Sequence, residues 1–114
     1  MTDDRLTRLS ATIRARRGAD PDSSYVARLL AAGRERIAQK VGEEAVEAVI
    51  AATRGDPEAL TSEAADLVFH LGVLLESFGL GFDDVLAELE RREGLSGLAE
   101  KAARSGVGLP KPGE

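Results

Sequence analysis

An all-α fold is what this sequence predicts, and three observations carry the prediction. Ala, Leu, Glu and Arg dominate while Thr, Ile and aromatic residues are sparse, a mixture that favours helix over sheet. Apolar residues recur every three or four positions through two long stretches. Glycine and proline fall between those stretches rather than inside them. The 114 residues suit one domain, 1–114, with a tail from about 105 that is rich enough in Gly and Pro to be expected mobile.

The first helix is expected over Asp3 to Arg17, with Leu6, Leu9 and Ile13 on one face. It stops at the turn-rich run from Gly18 to Ser24. A short helix from about Ser24 to Ala32 follows, and Gly33 permits a bend. The next helix, about Arg34 to Thr53, is long and ends at Arg54-Gly55-Asp56-Pro57. There Gly55 suits a C-terminal cap, Asp56 an N-cap, and Pro57 the first turn of a new helix. That helix is expected over Pro57 to Phe78 and is ended by Gly79 and Gly81. Asp83 offers another N-cap, for a last helix over about Asp84 to Glu93. A helical turn or two could form within Leu98 to Arg104. The tight connection at Gly55–Pro57 predicts that the two long helices form an antiparallel hairpin. Val46, Val49 and Ile50 make the first of them apolar nearly all round, which predicts that homodimerisation completes a helical bundle.

Composition narrows the function classes. There is no cysteine, which excludes disulfides and Cys-based zinc sites. Residues 1–17 lack the apolar core of a signal peptide, and no apolar run approaches the roughly 20 residues needed to cross a bilayer. A cytoplasmic protein with no membrane partner is expected. Net charge is −5, so general attraction to a phosphate backbone is absent and no nucleic-acid partner is expected. There is no Walker loop, dinucleotide fingerprint or Gly-x-Ser-x-Gly, which leaves a metal-activated water as the nucleophile.

The chemistry lies in acids placed beside apolar stripes. On the first long helix, Glu44, Lys40 and Glu47 fall about 20°, 60° and 80° from Ile37 at ~100° per residue. On the second, Glu63, Asp66 and His70 form a ladder beside Leu60, Leu67 and Leu74. One Glu-x-x-Glu is common on a solvated helix. Two acid pairs facing each other across a hairpin need a cation, because unpartnered buried carboxylates cost several kcal/mol each, by order of magnitude. Oxygen-only ligands suit Mg²⁺ or Mn²⁺. The proposed ligands are Glu44, Glu47, Glu63 and Asp66. His70 reads either as a residue that orients Asp66 or as a phosphate donor. Lys40, one turn before Glu44, is a surface lysine or a phosphate contact. Tyr25 is core packing or faces a base or sugar.

Three segments then carry a resemblance. Lys40-Val41-Gly42-Glu43-Glu44-Ala45-Val46-Glu47, Glu63-Ala64-Ala65-Asp66-Leu67-Val68-Phe69-His70 and Ser24-Tyr25-Val26-Ala27 together resemble the phosphoribosyl-ATP pyrophosphohydrolase family of histidine biosynthesis. The acid pairs alone would indicate only the wider all-α, MazG-like nucleotide pyrophosphohydrolase superfamily. The likeness covers about residues 5 to 104, with Val26 departing from the Thr of many relatives. It implies hydrolysis of phosphoribosyl-ATP to phosphoribosyl-AMP and diphosphate, with Mg²⁺ on Glu44, Glu47, Glu63 and Asp66. It makes Glu43 a candidate base or second-metal contact. It makes Lys40, His70, Arg92 and Lys101 candidate phosphate contacts, and Ser24 and Tyr25 candidates for the nucleotide end. A cyclohydrolase acting on phosphoribosyl-AMP can be fused to this domain in relatives; 114 residues leave no room for it, so it is expected as a separate partner. Two rivals predict different behaviour. A house-cleaning nucleoside triphosphate pyrophosphohydrolase would share the acids without a phosphoribosyl site. A non-catalytic helical dimerisation module would need no metal.

Overall fold

A computed structural model describes residues 4–93 and Arg104, and the described residues contain five helices and no strand. In chain order these are α1 (Arg5–Ala15), α2 (Tyr25–Ala32), α3 (Arg34–Thr53), α4 (Pro57–Ser77) and α5 (Phe82–Arg91). Two compact units are distinguished, one ending at Asp83 and the other beginning at Asp84. Lys101 and the expected mobile tail lie outside the described residues, as does the turn expected within 98–104 apart from Arg104.

Local chemistry sets most helix ends. Ser24 is extended, and its hydroxyl accepts from the Ala27 N–H at 3.1 Å, so α2 starts one residue later than expected and Ser24 is its N-cap. Asp56 caps α4 in the same way, accepting from Ala59 at 3.0 Å, with Pro57 in the first turn. Gly55 and Gly79 take positive φ (69° and 75°) after α3 and α4. That conformation lets Asp56 N–H reach the Ala51 carbonyl and Leu80 N–H reach Leu75, which satisfies carbonyls the helices leave open. The last helix departs from expectation. It begins at Phe82, so Asp83 lies in its first turn instead of capping it, and its carboxylate accepts from the Thr7 hydroxyl. Phe82 is 4% exposed, and burying its ring starts the helix earlier than the capping pattern implies.

Helix α3 packs on α4 more extensively than any other pair; α1 lies on α4, and α2 contacts both α3 and α4. Ile13, Ile37 and Val73 are fully buried at the centre, joined by Val26 and Leu29. Gly72 lets α1 come close, because a Cβ there would stand 2.7 Å from Ile13 Cδ1 and 2.9 Å from Phe82 Cε2. Glu76, also buried, accepts from Arg14 Nε at 2.9 Å and Arg17 Nε at 2.8 Å and ties α1 to α4. Burial alone would raise the Glu76 carboxyl pKa; the Arg17 and Arg14 hydrogen bonds outweigh it and hold the pKa below the ordinary value. At the start of α3, Arg34 donates to the Ser77 carbonyl at 2.9 Å and lies over the Phe78 ring.

The buried face of α4 consists of His70, Gly72, Val73 and Glu76. The leucine stripe expected to face the core is only partly covered: Leu67 and Leu74 are half-buried and Leu60 is exposed. The reason is geometric. Gly72 receives Ile13 of α1, Leu74 packs at the edge of the core, and Leu60 is not covered by the described residues. Val46, Val49 and Ile50 of α3 are exposed as well.

Candidate functional site

Facing positions of α3 and α4 bring three acids together. One carboxylate oxygen from each of Glu44, Glu63 and Asp66 lies within 4.8 Å of the others. Asp66 and Glu63 are spaced i, i+3 on α4, one turn apart, and Glu44 comes from the buried side of α3. Glu44 is 8% exposed, and its Oε2 has no hydrogen-bond partner; nor has Glu63 Oε2. Buried carboxylate oxygens without partners are costly, so both await a cation or a proton. The donors are all carboxylate oxygens, and oxygens on opposite sides of a Mg²⁺ stand about 4.2 Å apart. The residues present therefore fit a hard divalent ion.

The fourth acid, Glu47, is exposed and stands outside the trio. It reaches the site through Glu63. Hydrogen bonding to Glu47, then burial, then the negative charges of Glu47, Asp66 and Glu44 push the Glu63 carboxyl pKa up to about 7. The Glu63 carboxyl is thus partly protonated at neutral pH.

Lys40 borders the cluster, with Nζ 3.6 Å from Glu44 Oε1 and 3.6 Å from Glu43 Oε1. Desolvation works to lower its pKa, yet Tyr25, Glu43 and Glu44 raise it overall, so the ammonium is firmly charged. Glu43 is exposed and not one of the trio; Gln39 donates to it at 3.1 Å and Arg36 lies 3.9 Å away.

Tyr25 and His70 form a directed pair. His70 Nδ1 lies 2.8 Å from the Asp66 backbone carbonyl, and Nε2 lies 3.0 Å from the Tyr25 hydroxyl. A carbonyl can only accept, so Nδ1 carries a hydrogen and Nε2 is left to pair with the Tyr25 hydroxyl. The buried His70 thus orients Tyr25 and is anchored on the same turn of α4 that carries Asp66. The Tyr25 ring stacks on Phe69 at 6.0 Å between centroids and is 46% exposed, which leaves a face open to a ligand. The Ser24 hydroxyl is buried and engaged as the α2 cap. Arg92 belongs to the second compact unit and pairs with Glu88 at 3.0 Å. Hydrogen bonds from Arg91 and then Arg92 hold the Glu88 carboxyl pKa down at about 2.

One polar residue beside the cluster was absent from the sequence reading. Arg54 lines a cavity between α3 and α4 together with Glu47 and Glu63. Its only sequence signal is a position two helical turns beyond Glu47, on the same face of α3.

The comparisons with known proteins point to one family. Residues 6–93 match the family model described as phosphoribosyl-ATP pyrophosphohydrolase. The chain is similar to the phosphoribosyl-ATP pyrophosphatase of Erythrobacter litoralis, 67% identical over 99 residues, covering 87% of this chain and 95% of that protein. A protein of the same description from Rhizorhabdus wittichii is also 67% identical, over 87% of this chain and 93% of its own length. That from Dinoroseobacter shibae is 62% identical, over 87% and 97%. All the quoted site residues from Ser24 to Arg92 fall inside the matched segment.

Proposed function

The chain belongs to the phosphoribosyl-ATP pyrophosphohydrolase family, and from that premise we propose that it hydrolyses phosphoribosyl-ATP to phosphoribosyl-AMP and diphosphate, the second step of L-histidine biosynthesis. The observation that carries the reading is the acid trio, whose buried Glu44 and Glu63 oxygens lack partners within the matched segment. Water adds to the triphosphate chain, the α–β phosphoanhydride breaks, and its bridging oxygen leaves with the diphosphate.

In this reading Glu44, Glu63 and Asp66 hold Mg²⁺ and Glu47 completes the set. A bound Mg²⁺ supplies charge neutralisation and Lewis-acid polarisation of the phosphate oxygens. Glu63 would have to be deprotonated to hold the ion, so its raised pKa would make metal affinity pH-dependent. Lys40 points its ammonium at phosphate, and Glu43 steadies Lys40 from the solvent side. Tyr25, aimed by His70, contacts the nucleotide end, and Ser24 fixes the backbone that presents Tyr25. Arg92 and Lys101 are proposed contacts for the phosphoribosyl phosphate.

We further read α3 and α4 as an antiparallel hairpin and the chain as one catalytic domain that acts as a homodimer. The Arg34 to Ser77 contact supports the hairpin. Val46, Val49 and Ile50, 58%, 60% and 49% exposed, support a second copy as the cover of the apolar face. A stable, active monomer in sedimentation would overturn that. Among the described residues no single helix is long and apolar enough to cross a membrane, and we place the enzyme in the cytoplasm, where a separate cyclohydrolase would consume its product.

The deciding assay is diphosphate release from phosphoribosyl-ATP and from ATP, with Mg²⁺ and with excess chelator. Each charge-assisted contact to the added phosphate is worth roughly 1.5–3 kcal/mol, so phosphoribosyl-ATP should be preferred by about tenfold or more. Equal efficiency on both substrates would favour the house-cleaning activity. No release from either would favour the dimerisation module.

A further inference from the structure

The cavity beside the acid trio has a volume of about 170 Å³ and is lined by Glu47, Ile50, Ala51, Arg54, Ala59 and Glu63. One end is the Glu47–Glu63 pair; the other is Arg54. Seven residues of helix separate Glu47 from Arg54, a rise of about 10 Å. Pockets that enclose a whole drug-sized ligand measure about 300–1,000 Å³, so this one admits a single group of the nucleotide. Its walls, Ile50, Ala51 and Ala59, carry no side-chain hydrogen-bonding atoms.

Arg54 makes no ion pair and no side-chain hydrogen bond among the described residues, although Glu47 and Glu63 line the same cavity. Most other arginines of the first unit are engaged: Arg14 and Arg17 with Glu76, Arg28 with the Pro21 carbonyl, and Arg34 with the Ser77 carbonyl. A cation at a helix C-terminus gains a little from the helix dipole. The dipole does not explain why this one shares a cavity with two acids and stays unpaired.

Resting on the function read above, we propose that Arg54 binds the outer phosphate of the diphosphate leaving group, completing a subsite that runs from the acid trio to the end of α3. The bound group must join directly onto phosphates held at the acids. About 10 Å leaves no room for adenosine between them, which excludes the phosphoribosyl phosphate. The remaining anion is the free end of the triphosphate. The departing diphosphate as a whole gains negative charge as the α–β bond breaks, so a guanidinium bound to it gains strength in the transition state.

The test is calorimetric titration of magnesium diphosphate into wild type, Arg54→Ala and Arg54→Lys, with circular dichroism to verify folding. Arg54→Ala should weaken diphosphate binding by about ten- to a hundredfold. Arg54→Lys should recover part of it, since lysine keeps the charge and loses the two-pronged donor geometry. Magnesium AMP, which lacks the outer phosphates, should bind wild type and variant alike. The kcat/KM for phosphoribosyl-ATP should fall by the same factor as diphosphate affinity. Unchanged diphosphate affinity in folded Arg54→Ala overturns the inference, as does an equal loss for AMP and diphosphate. If Arg54→Ala fails to fold, Arg54→Gln keeps the side-chain length and reads the same quantity. A wild type that cleaves phosphoribosyl-ATP beside variants with normal diphosphate affinity overturns the subsite alone. A wild type that neither cleaves it nor binds magnesium diphosphate overturns the function as well.

Discussion

Gly72→Ala should destabilise the fold while sparing the chemistry. The added methyl would meet Ile13 Cδ1 at 2.7 Å and Phe82 Cε2 at 2.9 Å, with Phe82 Cζ at 3.4 Å. Neither neighbour can swing into solvent, because Ile13 is 1% and Phe82 4% exposed. Overpacking of this kind costs about 1–3 kcal/mol, and two contacts under 3 Å place it in the upper half. Alanine returns about 1 kcal/mol through helix propensity. The net loss is about 1–2 kcal/mol, equivalent to a fall in Tm of roughly 4–12 °C for a chain of this size. Ile13→Val removes the atom in closest contact. Alone it should cost about 0.5–1.5 kcal/mol, yet combined with Gly72→Ala it should recover stability. Thermal melts of the four proteins form a double-mutant cycle. Gly72 faces α1, away from the acid trio, so kcat for phosphoribosyl-ATP well below the melt should hold. An unchanged or raised Tm for Gly72→Ala, or strict additivity with Ile13→Val, would refute the close-approach argument.

Glu47→Gln should nearly abolish diphosphate release at limiting Mg²⁺ with the helical circular dichroism intact; full activity under those conditions would remove Glu47 from the site. The Glu63 carboxyl pKa, raised from 4.5 to about 7, means that the metal-free folded protein holds a proton the unfolded chain releases. Metal-free stability should therefore fall as pH rises from 4.5 to about 7 and level off above, and Glu63→Gln should lack that fall; parallel Tm profiles would disprove it. Glu76 has the opposite sign: its lowered pKa adds stability above 4.5 that is lost as pH drops through the folded value. Glu76→Gln should cost roughly 1–3 kcal/mol at pH 7, less than for a wholly buried pair because Arg14 and Arg17 can turn to water. The gap from wild type should close in acid, and a pH-independent gap would count against the Arg14–Glu76–Arg17 tie.

Local chemistry in the sequence was enough to determine that five helices form and where α2, α3 and α4 begin and end to within a residue, but not where α5 begins. Ser24, Asp56-Pro57, Gly55 and Gly79 mark ends that depend on hydrogen bonds spanning a few residues, and α3 has the bounds read from the sequence. The i, i+3 spacing of Glu44 with Glu47 and of Glu63 with Asp66 likewise put each pair on one flank of its helix, because side-chain azimuth follows from 3.6 residues per turn. Helical periodicity carries no information about how far one helix slides or rolls against another, and that is what only the tertiary structure decided. It gathered Glu44, Glu63 and Asp66 and left Glu47 to act through Glu63. It turned His70 onto Tyr25, 45 positions away, and Arg14 onto Glu76, 62 positions away. It also placed Arg54 at the end of a cavity shared with the acids. Each of these depends on helices α1 to α4 packing around Ile13, Ile37 and Val73, where burial of apolar surface selects one axial offset.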